Sequence, residues 1–194
     1  MLCYGLFGFG YIVPATFLPA MAREAVPNPA IFGWVWPIFG LAALLSALAA
    51  GRWSAVLSNR FIWGGGHLVM AVGVAVPLLQ PGIAGIIIAS LCVGSTVMVV
   101  TLAGLQEARR VAPTHSARLI AAMTAAFAAG QMLGPVFIGL FGHEQRGLHV
   151  SLSVASVALV LSATALLVSG SQEHKRERDR RAGPGRIEGA CKQT

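Results

Sequence analysis

Six long apolar stretches, separated by short polar gaps, dominate this sequence and constrain its fold more than any motif. They lie near residues 3–22, 30–50, 61–79, 82–102, 117–141 and 148–169, and they are rich in Leu, Val, Ile, Ala, Gly and Phe. A helix of roughly 20 apolar residues, rising about 1.5 Å per residue, crosses a hydrocarbon core of about 30 Å. The pattern therefore predicts an all-α membrane protein with six transmembrane helices.

Charged residues are too scarce for a soluble fold. They make up 11% of the 194 residues, whereas an ordinary soluble domain carries roughly 25%. A soluble domain could not hide so much apolar surface, but a bilayer accepts it. Membrane lipid is thus the expected surrounding of the six spans.

The placement of the basic residues predicts how the spans are oriented. Seven of the fourteen Lys and Arg residues lie between Lys175 and Lys192, and most others lie in the short gaps. With both termini in the cytoplasm, twelve basic residues are inside and only Arg23 and Arg146 are outside, as the positive-inside rule requires. We therefore expect a multi-pass protein of the inner (cytoplasmic) membrane. The net charge of +7 is concentrated in the tail and the gaps between spans and is not spread over one surface, so we do not expect the protein to bind nucleic acid.

The tail after the last span, residues 170–194, is polar, basic and contains Gly and Pro. It cannot bury enough apolar surface to offset the entropy of ordering it, so disorder is expected after a short helical extension. Its charges are compatible with a solvated topology anchor, and also with contact to anionic lipid headgroups.

Enzymatic and metal-binding signatures are missing from the sequence. Cys3, Cys92 and Cys191 are far apart and have no His at ligand spacing, so no metal site is predicted. Phosphate-loop and zinc-protease motifs are absent. No Asp, Glu, Lys or Arg lies deep in any of the six spans, and His67 of the third span is the candidate for a proton relay. We therefore predict neither an enzyme nor a cofactor, and we interpret His67 as a hydrogen-bonded interior residue.

Polar residues recur within the spans at helical spacing. Tyr4 and Tyr11 are seven residues apart and share one face of the first span, and Thr124 and Gln131 do the same on the fifth. Ser95 and Thr96 lie in the fourth span. Such hydroxyls can bond backbone carbonyls or neighbouring helices, and as a set they can line a cavity. The sequence leaves both interpretations open.

Prolines and glycines within the spans predict bent, closely packed helices. Pro14 and Pro19 in the first span, Pro37 in the second and Pro135 in the fifth are each expected to permit a kink. Bent helices suit alternating access between two sides of a membrane. This feature favours a transporter over a static anchor.

Several segments in order resemble one family of transporters. They are YGLFGFGYIVPATFLPAMARE, FGWVWPIFGLAA and GLQEARRVAP leading to RLIAAMTAAFAAGQMLGP. Over residues 3–169 the chain resembles the second half of a YbfB-like transporter of the major facilitator superfamily. The resemblance implies one six-helix half made of two inverted three-helix repeats. The usual acid of the superfamily's cytoplasmic loop motif is absent from GRWSAVLSNR, so a gating role for Arg52 is not expected.

The resemblance also assigns candidate surfaces. The first and fourth spans would face the substrate cavity, the second and fifth would meet the opposite half, and the third and sixth would lie toward lipid. The implied residues of the substrate path are Tyr4, Tyr11, Ser95 and Thr96, and those of the surface between halves are Trp34, Thr124 and Gln131.

The function expected from these features is transport of a small-molecule substrate by the C-terminal half, or a truncated form, of such a transporter. Because substrate binds between the halves, the expected partner is the missing N-terminal half or a second copy. The alternative, from another class, is a non-transporting membrane scaffold that binds partner helices through its small-residue faces.

Overall fold

The computed structural model describes residues 1–25, 33–141 and 144–182. Within these ranges the secondary structure is helical, without strands, and each of six helices is long and apolar enough to cross a membrane. The predicted all-α membrane protein is thus confirmed. The helices are α1 (Leu2–Ala25), α2 (Val35–Trp53), α3 (Asn59–Leu79), α4 (Ile83–Val111), α5 (Ser116–Leu140) and α6 (Glu144–Ala182).

Local sequence signals explain how adjacent helices are joined. Ser58 caps α3, because its Oγ accepts a hydrogen bond from the Phe61 N–H at 3.3 Å. The segment 80–82 forms the tight turn between α3 and α4, in which Gly82 has a φ of 112°. A side chain at this position would strain the backbone, so glycine fits the turn.

All four singled-out prolines lie within helices, but Pro37 lies in the first turn of its helix. It is the third residue of α2, and the first N–H groups of a helix have no partner within it. Pro37 therefore removes no hydrogen bond within α2. Pro135 lies inside α5 and Pro77 inside α3, where each removes a backbone hydrogen bond.

Helices α1, α2 and α3 make the same pattern of contacts as their counterparts α4, α5 and α6. Helix α2 packs against α4, and its counterpart α5 packs against α1. Likewise α3 packs against α4, α6 packs against α1, and α3 and α6 pack against each other. Because α1 and α4 start at opposite ends of the bundle, the two repeats are inverted, which is the internal arrangement of a major facilitator half.

Close packing of α1 against α5 depends on glycine. A Cβ atom at Gly130 would overlap the carbonyl oxygen of Gly5, and one at Gly8 would overlap the carbonyl oxygen of Phe127. The two backbones thus approach more closely than any larger residue allows, as is common between membrane helices.

Burial is unevenly distributed among the helices. In α3 and α4 about half of the most apolar segment (56%) is buried inside the bundle, whereas in α2 and α5 only 17% is buried. His67 and Met70 of α3 and Val93 and Val100 of α4 are among the fully buried residues. Helices α2 and α5 therefore each use one narrow face for the bundle and leave the rest exposed.

Candidate functional site

Aromatic rings fill the interior of the bundle where α1 meets α3 and α5. Tyr4, which is 5% exposed, has its ring centroid 5.5 Å from that of Phe7 and 5.8 Å from that of Trp63. Phe127 of α5 lies 5.7 Å from Tyr4 and 6.1 Å from Tyr11. Tyr4 and Tyr11, the two candidate tyrosines, thus both contact Phe127.

The two tyrosines differ in their surroundings. The Tyr4 ring covers Gly104, and its hydroxyl lies near the Thr101 side chain. Tyr11 is half-buried, and its ring lies 6.3 Å from that of Phe39 on α2. Tyr11 is therefore the more accessible of the pair, at the junction of α1, α2 and α5.

Ser95 and Thr96 bond their own helix. Both hydroxyls donate to the carbonyl oxygen of Cys92, at 3.1 Å and 2.8 Å. Thr96 is buried and Ser95 is half-buried. Thr96 lies eight residues before Gly104, the residue that the Tyr4 ring covers, and this separation along α4 is about 12 Å. In the described part of the chain, no hydrogen bond joins either tyrosine to Ser95 or Thr96.

The residues assigned to the surface between halves lie on or beside the exposed helices. Trp34 directly precedes α2 and is 64% exposed. Thr124 is exposed on α5, and its hydroxyl donates to the Ile120 carbonyl at 2.9 Å. Gln131 is half-buried on the same helix.

Sequence reasoning singled out His67 but missed its partner. The Trp63 Nε1–H donates to His67 Nε2 at 3.1 Å, and the imidazole is fully buried. A neutral imidazole that accepts at Nε2 carries its proton on Nδ1, and Nδ1 has no hydrogen-bond partner among the described residues. The i, i+4 spacing of Trp63 and His67 on one helix was the signal that could have revealed this pair.

A charged cluster at the end of the bundle was also missed. Arg60 Nε donates to Glu107 Oε1 at 2.6 Å, and Arg110 Nε donates to Glu107 Oε2 at 2.9 Å. Glu107 is only 6% exposed. The apolar stretch predicts that the fourth span ends at residue 102, whereas α4 continues to Val111 and carries this acid.

The cluster joins the start of α3 to the end of α4 and lies beside α6. Arg60 is in the first turn of α3 and Glu107 in the last turns of α4, and the Arg60 side chain lies next to Gly170 of α6. Glu107 is the one acidic residue between Glu24 and Glu144 in the sequence. That isolation was the signal that could have singled it out.

No three His, Cys, Asp or Glu side chains cluster in the described ranges as metal ligands would. The polar groups that the structure gathers are instead hydroxyls, one buried imidazole and one ion-pair cluster. Such groups can orient a solute or stabilise one arrangement of helices.

The comparisons with known proteins assign the family. Residues 1–167 match the family described as "Uncharacterised MFS-type transporter YbfB", where MFS denotes the major facilitator superfamily. The comparison with curated proteins found no match. The matched range contains α1 to α5 and most of α6. This chain, a multi-pass membrane protein, therefore belongs to the YbfB-type transporter family of the major facilitator superfamily.

Proposed function

We propose that the chain is the C-terminal six-helix half of a major facilitator-type transporter and moves a small-molecule substrate, without enzymatic chemistry, by rocking against a second six-helix bundle. The observation that carries this proposal is the exposure of α2 and α5. These helices are counterparts in the two inverted repeats, and each packs on the bundle by one face only. The family match supports transport as the general activity.

The exposed faces of α2 and α5 have the chemistry of helix–helix contacts. On α5, Ala121, Ala125, Ala128 and Ala129 are all exposed. Small residues let membrane helices approach closely, which lipid chains do not require. A second bundle, supplied by an N-terminal half or by a second copy of this chain, is the proposed occupant of these faces.

Tyr11, Ser95 and Thr96 are proposed to contact the substrate, with Tyr4 behind them in the aromatic interior. The half-buried Tyr11 lies where α1 meets both α2 and α5, so a bundle docked on those helices would close over it. Trp34, Thr124 and Gln131 are proposed to contact that bundle, since they lie along its two expected docking helices.

The proposed location is the inner (cytoplasmic) membrane with both termini in the cytoplasm. The starts of α3 and α5 and the ends of α2, α4 and α6 share the end of the bundle that carries Arg52, Arg60, Arg109, Arg110 and Arg118. The positive-inside rule places this basic end in the cytoplasm. A reporter active only in the cytoplasm should work when fused to the C-terminus, and labelling of the tail from the opposite side would contradict the topology.

The transport proposal can be tested without knowing the substrate. The chain is reconstituted into vesicles as a verified monomer, as a concentrated preparation that allows dimers, and together with any N-terminal bundle encoded beside it. Vesicles are exposed to a metabolite extract, with and without a proton gradient, and their contents are compared with those of empty vesicles by mass spectrometry.

We expect a solute to accumulate only in preparations that contain two bundles. Accumulation by the verified monomer would overturn the half-transporter proposal. Accumulation in no preparation would overturn transport itself and would leave the scaffold function as the better account of the exposed helices.

A further inference from the structure

A groove opens at the basic end of the bundle, and none of its lining residues belongs to α2 or α5. It lies between the loop that joins α2 to α3, the first turn of α3 and residues 167–171 of α6, and it has a volume of about 450 Å³. Its walls include Val56, Leu57, Phe61, Leu167 and Ser171. The groove is thus apolar on the side toward the membrane spans and polar toward the C-terminal extension of α6.

The apolar wall is exposed instead of being covered by the bundle. Val56 is 85% exposed and Phe61 is 56% exposed. Val56 belongs to the short connection after α2, and Phe61 lies in the first turn of α3, at the level where helices leave the apolar part of a membrane. Apolar side chains at this depth are stabilised by acyl chains of lipids and not by water.

The polar wall continues into positive charge along one face of α6. Lys175 and Arg178 follow Ser171 by four and seven residues, so all three side chains lie on the same helical face as Leu167. Both basic side chains are exposed. By the helical rise they lie about 6 Å and 10 Å beyond Ser171, within the thickness of the headgroup region.

We propose that this groove binds one anionic phospholipid. Its acyl chains would lie against Phe61 and Leu167, its phosphate would be near Ser171, and its negative charge would face Lys175 and Arg178. The order of apolar, hydroxyl and basic residues along α6 matches the order of groups along such a lipid. This inference depends on the membrane embedding of the helices and not on the transport proposal.

The test uses the purified full chain in detergent and dioleoyl phosphatidylglycerol as the probe. Native mass spectrometry counts the lipid molecules retained, with dioleoyl phosphatidylcholine as the zwitterionic comparison. The variant is Lys175→Gln with Arg178→Gln. The matched control is Arg109→Gln with Arg118→Gln, which removes two exposed charges from the same end of the bundle, neither of them from a residue that lines the groove.

We expect the wild-type chain to retain one phosphatidylglycerol more tightly than phosphatidylcholine. Loss of two basic residues near a headgroup should weaken this binding by roughly ten- to thirty-fold, and the control should change it by less than about three-fold. Equal losses in variant and control, equal retention of the two lipids, or unchanged binding in the variant would each overturn the proposal.

A second variant tests the apolar wall separately from the charge. Val56→Asn alters a side chain in a connection between helices, where it supports no helix packing. A photoactivatable phosphatidylglycerol with its reactive group on an acyl chain should crosslink to the segment around Val56 and Phe61, and less so in Val56→Asn. Adducts confined to α2 or α5 would contradict the groove as the site.

Discussion

Arg60 and Glu107, 47 residues apart in sequence, are joined by a hydrogen-bonded ion pair in which Nε and Oε1 are 2.6 Å apart. The carboxylate is almost completely buried, and its other oxygen accepts from Arg110 at 2.9 Å. The pair links the first turn of α3 to the last turns of α4. It fixes the position of the helix ends beneath the aromatic interior.

Replacing the shared acid should loosen this end of the bundle. Glu107→Gln leaves two guanidinium groups beside an uncharged amide, and loss of a hydrogen bond to a charged group costs about 1.5–3 kcal/mol. The free energy of unfolding in detergent should fall by that amount. Arg109→Gln is the control, because Arg109 is charged, exposed and close in sequence but does not bond Glu107. Among the described residues, Glu107 bonds only Arg60 and Arg110. Equal effects of the two substitutions would contradict a specific role of Glu107.

Packing of α1 on α5 predicts a sharp difference between two glycines of the same helix. Gly130→Ala places a methyl group against the Gly5 carbonyl, and overpacking of this kind costs about 1–3 kcal/mol. Gly139→Ala meets no atom within 4 Å and should leave stability unchanged or raise it slightly. The thermal unfolding midpoint, measured in the same detergent, should therefore be lower for Gly130→Ala than for Gly139→Ala. A lower midpoint for Gly139→Ala would contradict this prediction.

The buried Trp63–His67 hydrogen bond predicts a coupled pair. His67→Leu removes the acceptor of the indole N–H and should destabilise the protein by about 1–3 kcal/mol. The same substitution at the exposed His149 should have little effect. In a double-mutant cycle with Trp63→Phe, the combined loss should be smaller than the sum of the single losses. Strict additivity would mean that the two side chains do not interact.

A hydrogen bond between α6 and α3 sets a smaller expected effect. The Ser156 hydroxyl donates to the Ala71 carbonyl across the helix interface at 2.8 Å. Such bonds contribute roughly 0.6 kcal/mol on average inside membrane proteins, so Ser156→Ala should lower the free energy of unfolding by about that amount. Ser169→Ala, whose hydroxyl bonds its own helix at Ala165, should have no measurable effect. A loss above about 2 kcal/mol for Ser156→Ala would show that the serine does more than bridge two helices.

The helices were predictable because a transmembrane helix needs a long apolar segment, and such segments can be read directly from the sequence. The contacts between helices were not, because many spans share the same Leu, Val, Ala and Gly composition. Gly130 illustrates the difference. Glycines within the spans predicted close packing in general, but only the structure shows that Gly130 meets α1 and that Gly5 is the contact.

The charged cluster was missed for a different physical reason. Hydropathy ends a span where the first charged residues appear, yet α4 continues as a helix to Val111 and keeps Glu107 buried between two arginines. The pairing depends on Arg60, which is remote in sequence. The extension of α6 to Ala182 follows the same pattern, since Lys175 and Arg178 continue the helix beyond its apolar part, whereas residues 183–194 lie outside the described residues.

The central claim, that α2 and α5 dock a second bundle while α6 faces lipid, can be tested directly by photocrosslinking in native membranes. A benzophenone amino acid is placed at Leu48 of α2, Met132 of α5 or Val157 of α6, which are all well exposed. We predict adducts that add the mass of a second six-helix bundle at Leu48 and Met132, and lipid adducts alone at Val157. Lipid adducts alone at all three positions would contradict the account.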